Sequence, residues 1–147
     1  MGFGVPGALG AQIGTGLRPL ILTGDGGFQM TGVEIAHAPR YRLNPIVVLL
    51  NNGGWGIFRP VVKRQDLLAL PSWRYAELAR LWGGRGFRVE TAAQLRRALE
   101  QAAESPTFMI IEVMIAARDL SPLSVKCIRA SVKKVQQQDP SPAGAFV

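Results

Sequence analysis

The stretch GDGGFQMTGVEIAHAPRYRLNPIVVLLNN, residues 24–52, decides the fold. It opens on Gly24-Asp25-Gly26-Gly27 and ends on Asn51-Asn52 behind the apolar run PIVVLL, residues 45–50. A run that is apolar on both faces suits a parallel strand covered by helices. Gln29 to Ala38 suits a helix, which Pro39 ends. A short buried strand, PLILT (residues 19–23), precedes the stretch. The unit is thus strand, helix, strand. It returns Asp25 and Asn51-Asn52 to the same edge of one sheet, outside the carboxyl ends of the strands, where α/β sheets bind ligands.

The same alternation continues in both directions. Ala8 to Thr15 is rich in small residues and reads as a tightly packed helix. Gly53 to Gly56 is a loop. Ser72 to Trp82 reads as a helix with Ser72 as N-cap and Gly83 as its stop. GFRVE (residues 86–90) is a short strand, and Thr91 with Gln94 forms a capping box for a helix to about Glu104. TFMIIEVMI (residues 107–115) is the last strong strand. Beyond Ala116 the periodic signal fades. Gln136 to Val147, polar and Pro-rich, reads as disordered. The expected fold class is α/β, a mainly parallel sheet with helices on both faces. The expected organisation is one domain over residues 1–115 and a partly disordered C-terminal extension over residues 116–147.

The chain has 147 residues, enough for one domain with a real core. It is 48% hydrophobic and 18% charged, a globular composition. No apolar run approaches the roughly 20 residues that span a bilayer, so no membrane partner is expected. Cys127 is the single cysteine, which excludes an internal disulfide and suits a cytoplasmic location. The net charge is +7, but residues 116–147 contribute only +3 and contain one aromatic residue, Phe146. Nucleic-acid binding prefers a basic stripe with interleaved aromatics, so no nucleic-acid partner is expected. A basic balance does suit a protein that holds a phosphorylated cofactor.

Asp25 offers a hard anionic oxygen, Asn52 an amide oxygen and Gly54 a backbone carbonyl. Few hard oxygens from the protein suit Mg²⁺, which takes its other ligands from waters and phosphates. Gly24, Gly26 and Gly27 let the backbone approach a ligand, ahead of a helix starting near Phe28 whose N–H groups favour an anion. Metal and anion on one edge suggest a bound diphosphate.

At these residues the sequence resembles the thiamine diphosphate (ThDP) motif, Gly-Asp-Gly followed at a distance by Asn-Asn; here 24 residues separate Gly26 from Asn51. MGFGVPGALGAQIG and FQMTGVEI are similar to the segments flanking the motif in 2-oxo acid decarboxylases and acetolactate synthases. The resemblance covers residues 1–115 and implies the C-terminal, diphosphate-binding domain of these enzymes. It implies that Asp25, the Asn52 side chain and the Gly54 carbonyl bind Mg²⁺, and that Gly26 and Gly27 present N–H groups to the diphosphate. Relatives often carry Ser or Ala at the position of Gly27, so a hydroxyl contact is lost. Met1 falls where the family places a bulky apolar residue beneath the thiazolium. A chain that opens inside the site leads us to expect an N-terminally truncated protein, or a start assigned at an internal Met.

The position six after Asn52, a catalytic glutamate in pyruvate decarboxylases, is Phe58. This resembles the phenylpyruvate, indolepyruvate and benzoylformate branch and implies a bulky or aromatic 2-oxo acid substrate, with Phe58 and Trp55 as pocket candidates. The glutamate that activates the cofactor lies, in the family, on a separate pyrimidine-binding domain. Its counterpart would come from the same full-length chain or a partner subunit, within a homodimer or tetramer. Glu34, Glu77, Glu90, Glu100, Glu104 and Glu112 read as surface or pairing groups. The chain alone is therefore expected to be inactive. An acetolactate synthase-like enzyme, a split-subunit enzyme and a non-catalytic fragment are the alternatives.

GFGVPG also matches a dinucleotide fingerprint, with Asp25 placed 18 residues after Gly7, which makes a nicotinamide-dinucleotide-binding domain a remote alternative. No strand precedes its first glycine, and Pro6 sits awkwardly in the turn. His37 suits a helix C-terminus. Trp55 either lines the pocket or packs the loop, and Arg59 either contacts a substrate carboxylate or lies on the surface. Trp73 and Trp82 read as core residues on one helix, Cys127 has no base beside it in sequence, and Asn51 either touches cofactor or fixes the loop.

Overall fold

The structure, a computed structural model, describes residues 1–138. The chain folds as two compact units. The first comprises Met1–Asn51 and Ser72–Ile115, the second Asn52–Pro71 and Ala116–Val147. The expected boundary after residue 115 is also the end of the first unit, but Asn52–Pro71 leaves that unit and joins the C-terminal residues.

In the first unit, α1 (Gly4–Thr15), β1 (Leu20–Gly24), α2 (Asp25–Thr31), β2 (Ile46–Asn51), α3 (Tyr75–Leu81), β3 (Arg85–Val89), α4 (Ala92–Ala103) and β4 (Met109–Met114) follow in chain order. The four strands form one parallel sheet in the order β1-β2-β4-β3. Alternate residues of each strand point to opposite faces. Ile21, Val47, Leu49 and Ile110 pack with Val5, Leu9, Phe28, Ile35, Tyr75 and Ala79 on one face. Val48, Val89, Met109 and Ile111 pack with Ala98 and Ala102 of α4 on the other. Helices thus lie on both faces, as the apolar run PIVVLL requires. On the α4 side, however, Leu20 and Leu22 of edge strand β1 remain exposed, at 58% and 71%.

Four local expectations need correction. α1 starts at Gly4, because Pro6 falls in the first turn, where no N–H is needed. It is not tightly packed all round, since Ile13 is 63% exposed and the space beside Gly10 and Gly14 is open. The helix after the motif starts at Asp25 and stops at Thr31, then continues as a 3₁₀ segment, Gly32–His37. A Cβ at Gly32 would lie 2.5 Å from the Phe28 ring, so glycine leaves room for that ring, which is buried in the core together with Ile35. Ser72 is not an N-cap: α3 starts at Tyr75 behind Arg74, and Trp73 precedes it, packed on the core with its ring 6.1 Å from that of Tyr75. Trp73 and Trp82 therefore flank α3 rather than share it. Gly83 does end the helix, with φ at 84°. α3 lies so close to β3 that a Cβ at Gly86 would meet the Ala76 carbonyl at 1.8 Å. The capping box of α4 forms as the spacing of Thr91 and Gln94 implies.

In the second unit, 3₁₀ turns at Gly56–Phe58 and Gln65–Leu68 frame a loop that Gly54 and Ala69 close with an antiparallel bridge. The fading signal beyond Ala116 conceals α5 (Pro122–Gln138). Ser121 Oγ accepts the Ser124 N–H at 3.1 Å, and Pro122 takes the first helical position, a standard start. Gln136–Gln138 are its last residues, and the remainder of the expected disordered tail, residues 139–147, lies outside the described residues. Among the described residues no helix is long and apolar enough to cross a membrane.

Candidate functional site

The two ends of the sheet differ in character. At the amino edge, Gln12 Nε2 donates to Asn44 Oδ1 at 2.7 Å, and Arg18 bonds the carbonyls of Asn44 and Ala103. These bonds tie the turns before β1 and β2 to α1 and to the end of α4. At the carboxyl edge, β1 and β2 run side by side with Gly24 opposite Leu50. Asp25 and Asn51, the next residues of each strand path, therefore emerge at neighbouring positions.

Gly24 is the N-cap of α2 and Asp25 its first residue, not a loop residue ahead of it. Asp25 is only 3% exposed, and its Oδ1 accepts the Gly26 N–H at 2.9 Å. Burying a carboxyl at a strand end is costly unless something there requires it. Gly26 and Gly27 form the first turn of α2. A Cβ at Gly27 would meet Thr23 Oγ1 at 3.2 Å, so glycine relieves a tight spot here. Met1 stands 74% exposed just ahead of α1, and the neighbouring Gly2 carbonyl accepts from the Thr31 hydroxyl of α2.

Two buried groups behind this edge escape a sequence reading. Glu112 of β4 is 3% exposed, so it is not a surface group. Its Oε1 accepts Asn51 Nδ2 at 2.8 Å, and its Oε2 accepts the Ala76 backbone N–H at 3.3 Å. Asn51 thus fixes the end of β2 through a side-chain bond as well as through its carbonyl, which accepts Ile115 N–H at 3.0 Å. The signal was present: one acid inside TFMIIEVMI demands a buried partner. Tyr75 is buried, and its hydroxyl accepts Gln29 Nε2 at 2.7 Å. Desolvation raises its pKa, the Gln29 bond opposes this, and the charges of Asp25 and Glu112 raise it further. Tyr75 therefore faces the carboxylates as a neutral phenol.

In the second unit, Asn52 Oδ1 accepts the Gly54 N–H at 3.1 Å, and the Gly54 carbonyl accepts the Gly56 N–H at 2.8 Å. Gly53 holds φ at 71°, and a Cβ at Gly54 would strike the Leu68 carbonyl at 2.3 Å. The loop is thus folded so that both expected metal-binding oxygens are oriented by N–H donors. Trp55 donates its N–H to Leu68 O and is half-buried, and Phe58 ends the following turn 41% exposed. His37 is exposed, 3.6 Å from Glu34 in the 3₁₀ segment, and Cys127 is exposed on α5. Among the described residues there is no cluster of three His, Cys, Asp or Glu that could hold a metal. A metal on this chain would need amide, carbonyl or phosphate oxygens beside a carboxylate, which is the donor set that suits Mg²⁺.

The sequence matches the family described as "Thiamine pyrophosphate enzyme, C-terminal TPP binding domain" over residues 1–113. It is 44% identical to an indole-3-pyruvate decarboxylase of Azospirillum brasilense over 123 residues, 82% of this chain and 23% of that one. It is 34% identical to an oxalyl-CoA decarboxylase of Escherichia coli over 122 residues, 78% of this chain and 21% of that one. A solved structure, a thiamine diphosphate-dependent 4-hydroxybenzoylformate decarboxylase of Rhodococcus jostii RHA1, superposes with a TM-score of 0.71 at 30% identity, covering 79% of this chain and 23% of that one. The chain spans less than a quarter of the length of these relatives. A buried aspartate leading α2, an ordered Asn-Asn loop behind the adjacent strand and a family match across both place this chain among the thiamine pyrophosphate enzymes, in their C-terminal TPP-binding domain.

Proposed function

We propose that this chain is the ThDP- and Mg²⁺-holding part of a decarboxylase acting on bulky or aromatic 2-oxo acids. The observation that carries the reading is the buried carboxyl of Asp25 at the carboxyl end of β1, beside the strand that leads into Asn52. Asp25, the Asn52 amide oxygen and the Gly54 carbonyl would ligate Mg²⁺. The N–H groups of Gly26 and Gly27, in the first turn of α2, would face the diphosphate. Met1 would pack beneath the thiazolium. Bound there, ThDP supplies the nucleophilic carbon and the electron sink that decarboxylation requires.

The chain's own residues bind and orient. Glu112 holds Asn51, which anchors the strand end from which Asn52 departs. Gln29 of α2, the helix that Asp25 leads, donates to the Tyr75 hydroxyl in a neutral hydrogen bond. None of the glutamates named in the sequence reading is a substitute for the activating acid. Glu112 already accepts two hydrogen bonds, Glu77 and Glu90 pair with arginines at the surface, Glu34 lies 3.6 Å from His37, and Glu100 and Glu104 are exposed on α4 and at its end. The activating acid would come from a pyrimidine-binding domain in the same full-length protein or in a partner subunit of a homodimer or tetramer. The bulky-substrate reading draws on Phe58, whose position favours apolar contact over proton transfer, and on relatives named for indole-3-pyruvate and 4-hydroxybenzoylformate.

Calorimetric titration of ThDP into the chain, with Mg²⁺ and with EDTA, tests the cofactor part. The wild type is expected to bind only with Mg²⁺, and Asp25→Ala to lose that binding while keeping its circular dichroism spectrum. Unchanged affinity in the variant would remove Asp25 from the site. The 147-residue chain by itself is expected to show no turnover of phenylpyruvate, since general acid–base assistance alone is worth about 10²–10⁴-fold in rate. Turnover at ordinary enzyme rates would refute the need for a second domain.

A further inference from the structure

The second unit carries eight Lys and Arg against three Asp, a net +5 of the chain's +7. Three of these arginines, Arg59, Arg118 and Arg129, line one cavity of about 330 Å³ together with Leu120 and Val125. Among the described residues no carboxylate lines it. Among the described residues, none of the three forms an ion pair, whereas Arg64 nearby in sequence is matched by Asp66 at 2.6 Å. Arg59 Nε is enclosed, with no acceptor among the described residues. A buried guanidinium donor without an acceptor is costly, and three cationic side chains lining one hollow repel each other. A second hollow of about 550 Å³ shares Val125 and Arg129 and adds Lys126 and Lys133 of α5.

From this arrangement we propose that the Arg59–Arg118–Arg129 cavity binds a small organic phosphate. Guanidinium forks match the oxygen pairs of a phosphoryl group, and each phosphoryl carries about −1.5 to −2 charges at neutral pH, enough to offset more than one arginine. The apolar wall of Leu120 and Val125 receives the organic part. The row of cations continuing along α5 suits a second phosphoryl. None of the residues assigned to the metal or the ThDP diphosphate lines this cavity. Gln65 fixes the Arg59 backbone by donating Nε2 to the Arg59 carbonyl at 3.2 Å, so the arginine stem is held before any ligand arrives.

The test is calorimetric titration of inorganic tripolyphosphate into the 147-residue chain at fixed ionic strength, with EDTA present so that a Mg²⁺-dependent diphosphate site is silent. Saturable binding is expected. Arg118→Ala and Arg129→Ala, both at exposed positions, should each weaken it about tenfold or more. Arg59→Met keeps the stem and should do the same. Lys63→Ala removes one exposed charge of the same unit outside the cavity and should leave the affinity within about twofold, as screened surface charges do. Asp25→Ala should not alter it, and this separates the cavity from the ThDP reading. Absence of saturable binding by the wild type would overturn the proposal, as would equal losses in Lys63→Ala and the arginine variants, or loss of binding in Asp25→Ala.

Discussion

Replacing Glu112 by alanine is expected to cost more stability than any surface change, because the loss can be traced to two specific donors. Asn51 Nδ2 loses an acceptor at 2.8 Å and the Ala76 N–H loses one at 3.3 Å, both in the interior. A buried donor deprived of its acceptor costs about 1–3 kcal/mol, so the two together cost about 2–6 kcal/mol before the vacated volume is counted. Against a domain stability of about 5–15 kcal/mol this is a large fraction. Glu112→Gln keeps the shape and one acceptor but turns an NH₂ group toward one of two donors, so its loss should be about 1–3 kcal/mol. Asn51→Ala combined with Glu112→Ala should be less damaging than the sum of the two, with a coupling of about 0.5–3 kcal/mol. Urea unfolding followed by circular dichroism measures all four proteins, and the slope with urea should stay constant if only stability changes. A loss below about 0.5 kcal/mol for Glu112→Ala is what a solvated surface glutamate would show, and would refute the buried pair.

Tyr75 makes stability sensitive to alkaline pH. Its pKa is raised above the ordinary 10.0, chiefly by burial. Its contribution is therefore fully present below about pH 10 and is lost as pH rises from there through the folded-state value, because the unfolded chain ionises first. Tyr75→Phe should cost about 0.5–1.5 kcal/mol at neutral pH through the Gln29 bond, and should flatten the decline in urea midpoint between pH 9 and pH 11; an unchanged decline would contradict the assignment. Phe58→Ala, in the enzyme completed by its pyrimidine-binding domain, should weaken kcat/KM for phenylpyruvate about ten- to a hundredfold more than for pyruvate, since burying an aryl group is worth roughly 1.5–3 kcal/mol. A fixed ratio of the two substrates with lowered stability would show that the ring only packs its turn.

Much was readable from the sequence alone because it depends on nearest neighbours in the chain. Two apolar runs bracketing Gly-Asp-Gly and Asn-Asn imply parallel strands. A Thr-to-Gln spacing of three implies a capping box, and Gly83 after an apolar helix implies a stop; each forms as expected. These are local steric and hydrogen-bonding rules. The tertiary structure decided what depends on residues far apart in sequence. The helix after the motif gives way to a 3₁₀ segment at Gly32, and Phe28 and Ile35 on either side pack into a core built from residues as distant as Tyr75 and Ile110. α3 begins three residues after Ser72, at Tyr75, with Trp73 ahead of it packed on the core. Glu112, which resembled a pairing group on a strand, is internal because Asn51, 61 positions away, arrives to meet it. Arg59 and Arg129 share a cavity although 70 positions separate them, and α5 has no clear signal in the sequence because its apolar residues are interspersed with four basic ones and three glutamines. Burial is a property of what the rest of the chain places around a residue, and no local pattern carries that information.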